Sequence, residues 1–288
     1  MTTVLITGAT RGLGLATAQA LSARGARVLC AGRDRGPVEA AAKRVGGDRV
    51  MLDLGDLIQV RSTADQLPHV DAVVCNAGLQ VLRGPITTAD GFEETFQVNH
   101  LSHVLLVDAL LGRPAPPRSV VFIGSATHDP AIRTGTPDPV EGDDLSLFSR
   151  ASEDGEAGRT AGLRRYATSK LLNAATAAAL ARERPDVHVS CFDPGMMPGT
   201  GLARQHPAPV RVLWSSALKG LRVLPFASSP ATSGRALGRL VCQDAPLVPS
   251  GSYIDHRLRV TTASSRARDS AYQDSVLRQT RQLLATTG

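Results

Sequence analysis

Short apolar runs alternate with amphipathic stretches from the first residues of the chain. Six runs have the length and the Val, Ile and Ala content of buried strands, at residues 4–7, 26–31, 49–52, 72–75, 119–123 and 187–192. Stretches with helical spacing separate them, at 14–24, 38–45, 57–66, 93–111 and 166–183. Strands that alternate with single helices form βαβ units with parallel strands and right-handed crossovers. The pattern predicts a doubly wound sheet with helices on both faces.

The last third of the chain adds two helices and one strand. Helical spacing around 231–242 leads to a short strand at 252–255, and an amphipathic stretch near 269–284 follows it. No internal repeat and no Pro/Gly-rich linker divides the 288 residues. We therefore expect a single α/β domain of the Rossmann type, with a parallel sheet of about seven strands.

Two segments interrupt this alternation. Residues 127–164 are rich in Pro, Gly, Asp and Glu and are far longer than an ordinary βα loop of roughly two to six residues. Residues 198–229 place several prolines around the apolar stretch 210–224. We interpret the first segment as a substrate loop and the second as a helical flap over the same edge of the sheet.

Composition excludes several classes of protein. Apolar residues make up 42% of the chain and charged residues 20%, as in ordinary globular domains. No apolar run approaches the roughly 18 residues of a membrane span, and the start MTTVLITG has no basic leader. Cys30, Cys75 and Cys191 end apolar runs, which is typical of buried thiols, so we expect a cytoplasmic protein.

The net charge of +6 raises the question of nucleic-acid binding. The arginines are scattered along amphipathic helices, and aromatic residues make up only 3% of the chain, too few for stacking platforms. We expect no nucleic-acid partner.

A glycine-rich turn joins the first strand to the first helix. Residues 7–14 read TGATRGLG, and Gly8, Gly12 and Gly14 allow a tight turn and a close approach to a ligand. The N-terminus of the helix offers N–H groups to a pyrophosphate. Since the turn follows a buried strand at the start of a doubly wound sheet, it predicts a dinucleotide site.

The end of the second strand indicates which dinucleotide binds. NAD sites place Asp or Glu there to bind the ribose 2′-hydroxyl, whereas this strand ends in Gly32 and Arg33. Arg33 and Arg11 of the glycine-rich turn could converge on a 2′-phosphate, which favours NADP(H). The alternative is that both are solvated surface arginines.

Two further strand ends complete the predicted cofactor site. Asp53, after the third strand, could accept a hydrogen bond from the adenine amino group or cap the next helix. Asn76, Ala77 and Gly78 follow the fourth strand, where small residues let the adenosine half of a dinucleotide lie against the backbone.

The pentapeptide from Tyr166 to Lys170 carries the predicted chemistry. Residues at i and i+4 share one face of a helix, and Lys170 is one of only three lysines in the chain. A phenol with a pKa near 10 is a poor acid–base catalyst at neutral pH, but a nearby ammonium or nicotinamide cation can lower that pKa. The alternative is an exposed helical pair.

Two polar residues are expected beside this pair. Ser125 lies just past the carboxyl end of the fifth strand, where open parallel sheets bind ligands, and its hydroxyl could hold a substrate carbonyl. Asn99 interrupts an apolar helical stretch. It could hold a water that links Lys170 to solvent, or it could be a hydrogen-bonded core amide.

The order of these motifs along the chain is TGxxxGxG, NAG, Asn, Ser, YxxxK and PG. This order resembles the short-chain dehydrogenase/reductase superfamily over essentially all of the chain. Segments 90–101 and 251–255 are most similar to its retinol dehydrogenase and protochlorophyllide reductase branch. The resemblance implies hydride transfer between nicotinamide C4 and a carbonyl or alcohol carbon.

The resemblance also implies a role for each matching residue. Tyr166 would be the general acid in reduction, Ser125 would orient the carbonyl, and Asn99 would hold a proton-relay water. Lys170 would bind the nicotinamide ribose and depress the pKa of Tyr166. The Pro194-Gly195 pair would pass beside the nicotinamide.

The expected ligands are NADP(H) and a small-molecule substrate, an apolar carbonyl compound. The residues expected to contact the cofactor are Gly8, Thr10, Arg11, Gly12, Leu13, Gly14, Arg33, Asp53, Leu54, Asn76, Ala77, Gly78, Tyr166, Lys170, Pro194, Gly195, Met197 and Thr200. The residues expected to contact the substrate are Ser125, Thr127, His128, Met196 and Trp214. No His or Cys spacing suggests a zinc site, so no metal is expected.

The chain departs from the family pattern at three points. The Thr that often holds the carboxamide, four residues after the glycine of the PG motif, is Gly199 here, and Thr200 is the next residue. Met196 replaces the Cys of protochlorophyllide reductases, which argues against their light-driven chemistry. The interval between Ser125 and Tyr166 is longer than the family norm.

The sequence as a whole predicts an NADPH-dependent carbonyl reductase that acts reversibly on a bulky, largely apolar ketone or aldehyde. A ketoreductase of aromatic polyketides is one candidate. The alternative is a regulatory protein that senses NADP(H) without turnover, but such proteins commonly lose the tyrosine or the lysine. The helices at 93–111 and 166–183 often build a dimer interface in the superfamily, and monomers also occur in this branch, so we expect a monomer or a homodimer.

Overall fold

One sheet of eight strands lies at the centre of the computed structural model, which describes residues 1–82, 84–140, 142, 144–149, 158–197, 227–242 and 245–287. The strands are β1 (Thr3–Thr7), β2 (Arg27–Gly32), β3 (Asp48–Met51), β4 (Ala72–Cys75), β5 (Ser119–Ile123), β6 (His188–Asp193), β7 (Tyr253–Asp255) and β8 (Val260–Thr261). Their order is β3-β2-β1-β4-β5-β6-β7-β8, and all neighbours are parallel except β7 and β8. The order reverses between β1 and β4, which is where open α/β sheets bind ligands.

Helices lie on both faces of the sheet. They are α1 (Gly12–Ser22), α2 (Arg35–Val45), α3 (Leu57–Gln66), α4 (Glu94–Phe96), α5 (Ser102–Leu111), α6 (Ser146–Ser149), α7 (Arg159–Glu183), α8 (Pro230–Val241), α9 (Ser265–Arg268) and α10 (Ser270–Ala285). A π-helical turn, Gln97–Leu101, joins α4 to α5, and a 3-10 turn, Ala126–His128, follows β5.

Two apolar cores, one on each face of the sheet, explain the continuous apolar runs within the central strands. Successive side chains of a strand point to opposite faces. Leu5 therefore packs in the core formed with α3, α5, α7 and α10, whereas Val4 and Ile6 pack in the core formed with α1, α2 and α8. Burial of both faces is the property of parallel sheets that produces continuous apolar runs.

The predicted α/β class and parallel sheet are confirmed, and the differences are local. The short antiparallel strand β8 was not predicted. Helix α7 begins at Arg159, seven residues before the predicted start, so the end of segment 127–164 is helical. The sequence pattern did not indicate this helical turn because it contains Gly162, which is unfavourable in a helix. A Cβ at position 162 would collide with the carbonyl oxygen of Val81.

Parts of the two irregular segments lie outside the described residues. Residues 198–226 of the proposed flap, with Thr200 and Trp214, are among them, as are residues 141, 143 and 150–157 of the proposed substrate loop. In the ranges that are described, no helix is long and apolar enough to cross a bilayer. The four cysteines are free thiols.

Helix α10 covers α5 and α7, the helices that the family resemblance associates with dimers. Arg281 of α10 pairs with Asp108 of α5 at 2.8 Å and with Glu183 of α7 at 2.7 Å. Val276 and Leu277 of α10 join the same apolar core. Helix α10 therefore covers part of this face within one chain.

Two histidines are buried in the core at and just after the π-helical turn. His100 contacts Asn173 of α7 at 3.1 Å and Thr280 of α10 at 2.9 Å, whereas His103 contacts Thr7 of β1 at 2.8 Å. Burial lowers the pKa of His100 to about 4 and that of His103 to about 3. Both rings are therefore neutral in the folded protein at neutral pH.

We expect the protein to lose stability as the pH falls from 7.5 to 5.5, well above the pH range in which carboxylates titrate. The unfolded chain takes up protons on His100 and His103 below a pKa of about 6.5, while the folded chain does not. At about 1.4 kcal/mol for each histidine, the free energy of unfolding should fall by roughly 3 kcal/mol between pH 7.5 and pH 5.5. Urea titrations at the two pH values measure this loss.

The exposed His69 provides the matched control for this prediction. Its side chain is 53% exposed, so the His69→Gln variant should show the same pH dependence as the wild type. A free energy of unfolding that stays constant between the two pH values would contradict the assignment of neutral buried rings.

Candidate active site

The glycine-rich turn brings β1 and the segment after β4 into direct contact. Gly8 has a φ of +66°, and a Cβ at this position would lie 2.9 Å from the Cα of Ala77. A Cβ on Gly14 would collide with the carbonyl oxygen of Gly8. Only glycine allows both approaches, so the motif serves backbone packing at the start of α1.

Thr7 and Asn76 hold this turn in place through hydrogen bonds. Thr7 Oγ1 accepts from the backbone N–H groups of Asn76 and Ala77, each at 2.9 Å. Asn76 Nδ2 donates to the carbonyl oxygens of Thr7 at 2.8 Å and of Gly8 at 3.2 Å. Thr7 Oγ1 also lies 2.8 Å from Nε2 of His103 and 3.4 Å from the carbonyl oxygen of Val74, and these are the two acceptors within reach of its hydroxyl hydrogen.

The start of α1 has the properties of a pyrophosphate site. Its N-cap residue, Arg11, gives no side-chain hydrogen bond to the first turn, and the first turn contains no acidic residue. A Cβ on Gly12 would meet no atom within 4 Å, so the space in front of the turn is open. Backbone N–H groups at a helix N-terminus favour an anion, and the residues present therefore fit a dinucleotide.

The end of β2 carries a cation with acidic neighbours. Arg33 is 61% exposed and lies 3.8 Å from Asp34. The half-buried Glu94 lies within electrostatic range of Arg33. Burial raises the pKa of the Glu94 carboxyl, the charge of Arg33 lowers it, and the carboxylates of Glu93 and Asp53 raise it. Sequence analysis missed Glu94, since its approach to Arg33 depends on the packing of α4 beside the sheet.

Asp53 does not cap the helix that follows it. Asp56 is the N-cap of α3, and its side chain accepts a hydrogen bond from Gln59 N at 2.9 Å. Asp53 Oδ1 instead accepts from Gly55 N at 2.8 Å. The next predicted residue, Leu54, is buried, and its carbonyl oxygen accepts from Ser102 Oγ at 2.6 Å.

Tyr166 and Ser125 meet at the carboxyl edge of the sheet. Tyr166, in α7, is only 9% exposed, and its hydroxyl hydrogen-bonds to the Ser125 side chain. Ser125 Oγ also accepts from Thr127 Oγ1 at 3.1 Å and from Thr127 N at 3.3 Å. The predicted meeting of these hydroxyls is present in the structure, and Thr127 supports Ser125.

Lys170 lies one helical turn after Tyr166 and is also buried. Its Nζ donates to the carbonyl oxygen of Ile123 at 3.0 Å and is 5.4 Å from the centroid of the Tyr166 ring. A Cβ on Gly78 would be 3.9 Å from Nζ, so the ammonium also borders the segment after β4. Burial lowers the pKa of Lys170 to about 8.

The pKa of Tyr166 differs from the sequence-based expectation. Burial raises it above the ordinary value and the nearby Asp193 carboxylate raises it further, whereas the hydrogen bond to Ser125 lowers it. The ammonium of Lys170 was expected to produce a net decrease. In the protein alone, removal of the phenolate from water has the larger effect.

Asn99 is a hydrogen-bonded core amide. Its Nδ2 donates to Leu79 O at 2.9 Å and Ser169 Oγ at 3.1 Å, and its Oδ1 accepts from Leu79 N at 2.8 Å. These bonds hold the segment after β4 beside α7. One lone pair of Oδ1 remains, which is where a relay water would donate. The π-helical turn around Asn99 is of a kind that is frequent at functional sites.

The residues predicted to contact substrate divide into three groups. Thr127 lies beside the Ser125 hydroxyl. Met196 follows the Pro194-Gly195 loop and is partly exposed. Trp214 lies outside the described residues. His128 is 1% exposed, and both of its ring nitrogens contact backbone atoms, so no ring nitrogen is free for a substrate.

Two residues near the site were missed by sequence analysis. Asp193 is the last residue of β6, and the Tyr253 hydroxyl lies 3.2 Å from its Oδ2. Asp193 carried a usable signal, because a polar residue at the carboxyl end of a parallel strand is a candidate for the site.

The described residues contain no cluster of three or more His, Cys, Asp or Glu side chains suited to a metal.

In this chain the sheet is doubly wound, a glycine-rich turn follows β1, and buried polar groups lie at the carboxyl edge of the sheet. These features together define the class of Rossmann-type nucleotide-binding proteins. A family model described as short chain dehydrogenase matches residues 2–133. Together with the relatives below, this match shows that the chain belongs to the short-chain dehydrogenase/reductase family, whose members are oxidoreductases that act on CH–OH or carbonyl groups.

Similar proteins support this family over nearly the whole chain. The chain is 35% identical over 267 residues to a Streptomyces protein named "Putative daunorubicin C-13 ketoreductase", with 89% of this chain and 84% of the relative covered. It is 32% identical to protochlorophyllide reductase A of Arabidopsis thaliana, with 87% and 67% covered. A crystal structure of an uncharacterised protein from Mycobacterium paratuberculosis superimposes with a TM-score of 0.73 at 26% identity, covering 99% of this chain and 94% of that one.

The hydrogen bonds of Thr7 predict a large cost for a nearly isosteric substitution. Thr7→Val leaves the N–H group of Ala77 without its acceptor and Nε2 of the buried His103 without its hydroxyl partner, whereas Asn76 N–H keeps the carbonyl oxygen of Val74 at 2.9 Å. A buried unsatisfied group costs about 1–3 kcal/mol. We expect the free energy of unfolding to fall by about 3 kcal/mol, as measured by urea denaturation followed by circular dichroism.

Thr17→Val is the matched control. Thr17 is equally buried, but its hydroxyl makes only an intrahelical bond to Leu13 O at 2.9 Å, so we expect a loss below about 1 kcal/mol. Equal losses in the two variants would contradict the role assigned to Thr7.

Proposed function

We propose that the protein is an NADPH-dependent carbonyl reductase that converts a bulky, largely apolar ketone or aldehyde to an alcohol, reversibly. The observation that carries this proposal is the hydrogen bond between the Tyr166 and Ser125 hydroxyls, with Lys170 buried one turn further along α7. The free thiols support a reducing compartment, and we propose the cytoplasm.

The cofactor would lie along the carboxyl edge of the sheet. The backbone of the glycine-rich turn would bind the pyrophosphate, with Thr10 and Leu13 in contact. Arg11 and Arg33 would bind a 2′-phosphate, and residues 76–78 would face the adenosine half with Asp53 and Leu54. Lys170 and the Pro194-Gly195 loop would hold the nicotinamide half, together with Met197 and Thr200. When bound, NADPH supplies the hydride.

Tyr166 would deliver the proton in the reduction. Burial keeps the phenol protonated at neutral pH, so a proton is present as negative charge develops on the carbonyl oxygen. Ser125 would hold that oxygen beside the phenol. Lys170, with a pKa of about 8, can release a proton near neutral pH and return one to Tyr166. A water on Asn99 Oδ1 would connect Lys170 to solvent.

The substrate class rests on similarity and on the residues beside Ser125. The relative from Streptomyces is named as a ketoreductase of daunorubicin, which is a large aromatic polyketide. Thr127 and Met196 would contact the substrate next to the reacting carbonyl, and Trp214 is retained as a candidate contact.

Oxidation of NADPH, followed at 340 nm, tests the proposal. The panel should contain daunorubicin, planar aromatic ketones and small aliphatic ketones, with the large aromatic ketones expected to react best. Tight NADPH binding without oxidation by any ketone or aldehyde would instead favour the regulatory alternative. Oxidation of small and large ketones at equal kcat/KM would contradict the proposed substrate class.

Removal of one oxygen atom tests the role of Tyr166. We expect Tyr166→Phe to lower kcat at least about 100-fold, because a positioned general acid contributes about 10²–10⁴-fold. The Kd for NADPH, measured by fluorescence titration, should change less than about threefold, since the phenol acts on the carbonyl oxygen. Retention of more than a tenth of the wild-type kcat would refute this role.

The proposed 2′-phosphate site predicts cofactor selectivity. NADPH should bind at least tenfold more tightly than NADH, a difference of about 1.4 kcal/mol that one charge-assisted pair can supply. Arg33→Ala should reduce the ratio of the two Kd values. The nearby Arg35 is 70% exposed and lies close to Glu39, so Arg35→Ala is the matched control and should leave the ratio unchanged. Equal affinities in the wild type would overturn the selectivity.

A further inference from the structure

A carboxylate lies at the junction of β6 and the Pro194-Gly195 loop. Asp193 Oδ1 accepts a hydrogen bond from Gly195 N at 2.9 Å, and Asp193 Oδ2 is 3.2 Å from the Tyr253 hydroxyl. The reaction proposed above assigns no proton transfer to Asp193. The carboxylate therefore needs another explanation for its place between the loop and a buried tyrosine.

Tyr253 extends from β7 to the end of β5. It is 8% exposed, and burial raises the pKa of its hydroxyl, as does the Asp193 carboxylate, whereas the nearby backbone of Ser125 lowers it. A Cβ on Gly124 would be 2.9 Å from Cε2 of the Tyr253 ring and 3.2 Å from its hydroxyl oxygen. Only glycine at position 124 allows the ring to reach the Ser125 loop so closely.

His128 holds the other side of the same loop. Its Nδ1 donates to the carbonyl oxygen of Ser125 at 2.7 Å, and its Nε2 accepts from Ser264 N at 3.1 Å. The imidazole packs against the Tyr253 ring with centroids 4.7 Å apart. One backbone partner is an acceptor and the other a donor, so the ring is the neutral Nδ1–H tautomer.

We propose that Asp193 and Tyr253 form a positioning bridge between the Ser125 loop and the Pro194-Gly195 loop. The bridge runs from Gly195 N–H to Asp193 and from Asp193 to the Tyr253 hydroxyl. The Tyr253 ring then meets the Ser125 loop at Gly124 and at the imidazole of His128. It rests on the proposed function, in which the first loop orients the carbonyl and the second borders the nicotinamide. Its effect is to keep these two loops in one relative position.

The reaction gives this position a large effect on rate. Hydride transfer requires reacting atoms about 3–3.5 Å apart, and a misplacement of about 1 Å can cost about 100-fold in rate. Among the described residues, the backbones of the two loops pair with each other only at the ends of β5 and β6, where Gly124 N donates to Phe192 O at 2.9 Å. The bridge of Asp193 and Tyr253 adds a side-chain connection further along the two loops, at the residues nearest to the proposed carbonyl and nicotinamide positions.

Amide hydrogen exchange of the protein without ligands tests the bridge independently of any reaction. Tyr253→Phe removes only the hydroxyl that bonds to Asp193, and Asp193→Ala removes the carboxylate that bonds to both Gly195 N and the Tyr253 hydroxyl. We expect each variant to accelerate exchange at least threefold in the loop that it does not touch directly. These loops are residues 195–197 for Tyr253→Phe and residues 124–128 for Asp193→Ala.

Tyr272→Phe is the matched control, since Tyr272 is a buried tyrosine of α10 at 5% exposure. It should leave both loops unchanged. Acceleration confined to the loop next to each substitution would overturn the bridge. Either substitution tests it from its own end, so a folding defect in one leaves the other decisive.

Kinetics provide the second measurement. With a ketone that the wild type reduces, both variants should lower kcat about tenfold while KM and the Kd for NADPH change less than threefold. The double variant should be no slower than the slower single variant, because both substitutions break one connection. Multiplicative losses would refute a shared bridge. Failure of the wild type to oxidise NADPH would refute the proposed function, whereas the exchange result would still decide whether the loops are coupled.

Discussion

The carbonyl oxygen of Ile123, the last residue of β5, accepts hydrogen bonds from Lys170 Nζ at 3.0 Å and from Asn173 Nδ2 at 3.3 Å. Helix α7 also buries apolar side chains, many alanines together with Leu171, Leu172 and Leu180. Buried polar groups must find partners, so the two bonds to Ile123 hold the turn from Lys170 to Asn173 against the end of β5. Tyr166, one turn before Lys170, is thereby placed beside Ser125, two residues beyond Ile123.

The same hydrogen bonds connect the two halves of the site. From the glycine-rich turn to α7, consecutive contacts of 2.8–3.3 Å run through Thr7, His103, Asn99, Asn173, Ile123 and Lys170. Burial of this network also determines its electrostatics, because removal from water disfavours every charged form. It keeps His103 neutral and lowers the pKa of Lys170 to about 8, into the range where a lysine can exchange protons. Burial of these polar groups therefore both holds the elements together and sets the protonation of His103 and Lys170.

Much of the fold and of the candidate site could be predicted because it depends on local patterns. Continuous apolar runs reflect burial on both faces of a parallel sheet, and the glycine spacing of residues 8–14 reflects contacts that any Cβ would break. The four-residue spacing of Tyr166 and Lys170 is a property of the helix itself. The predictions failed where a local pattern was interrupted for a distant partner, as at Gly162, which is small because Val81 packs against it.

The sequence by itself determined the alternation of strands β1–β7 with the longer helices, the glycine-rich turn and the helical pair of Tyr166 and Lys170, since these follow from periodicity and backbone geometry. The tertiary structure decided which polar groups meet. Asp193 and Tyr253 are 60 residues apart and touch only because β6 and β7 are neighbours in the sheet. Burial of His128 between β7 and Ser264 likewise makes it part of the framework. Such contacts depend on the packing of elements distant in sequence, which no local pattern records.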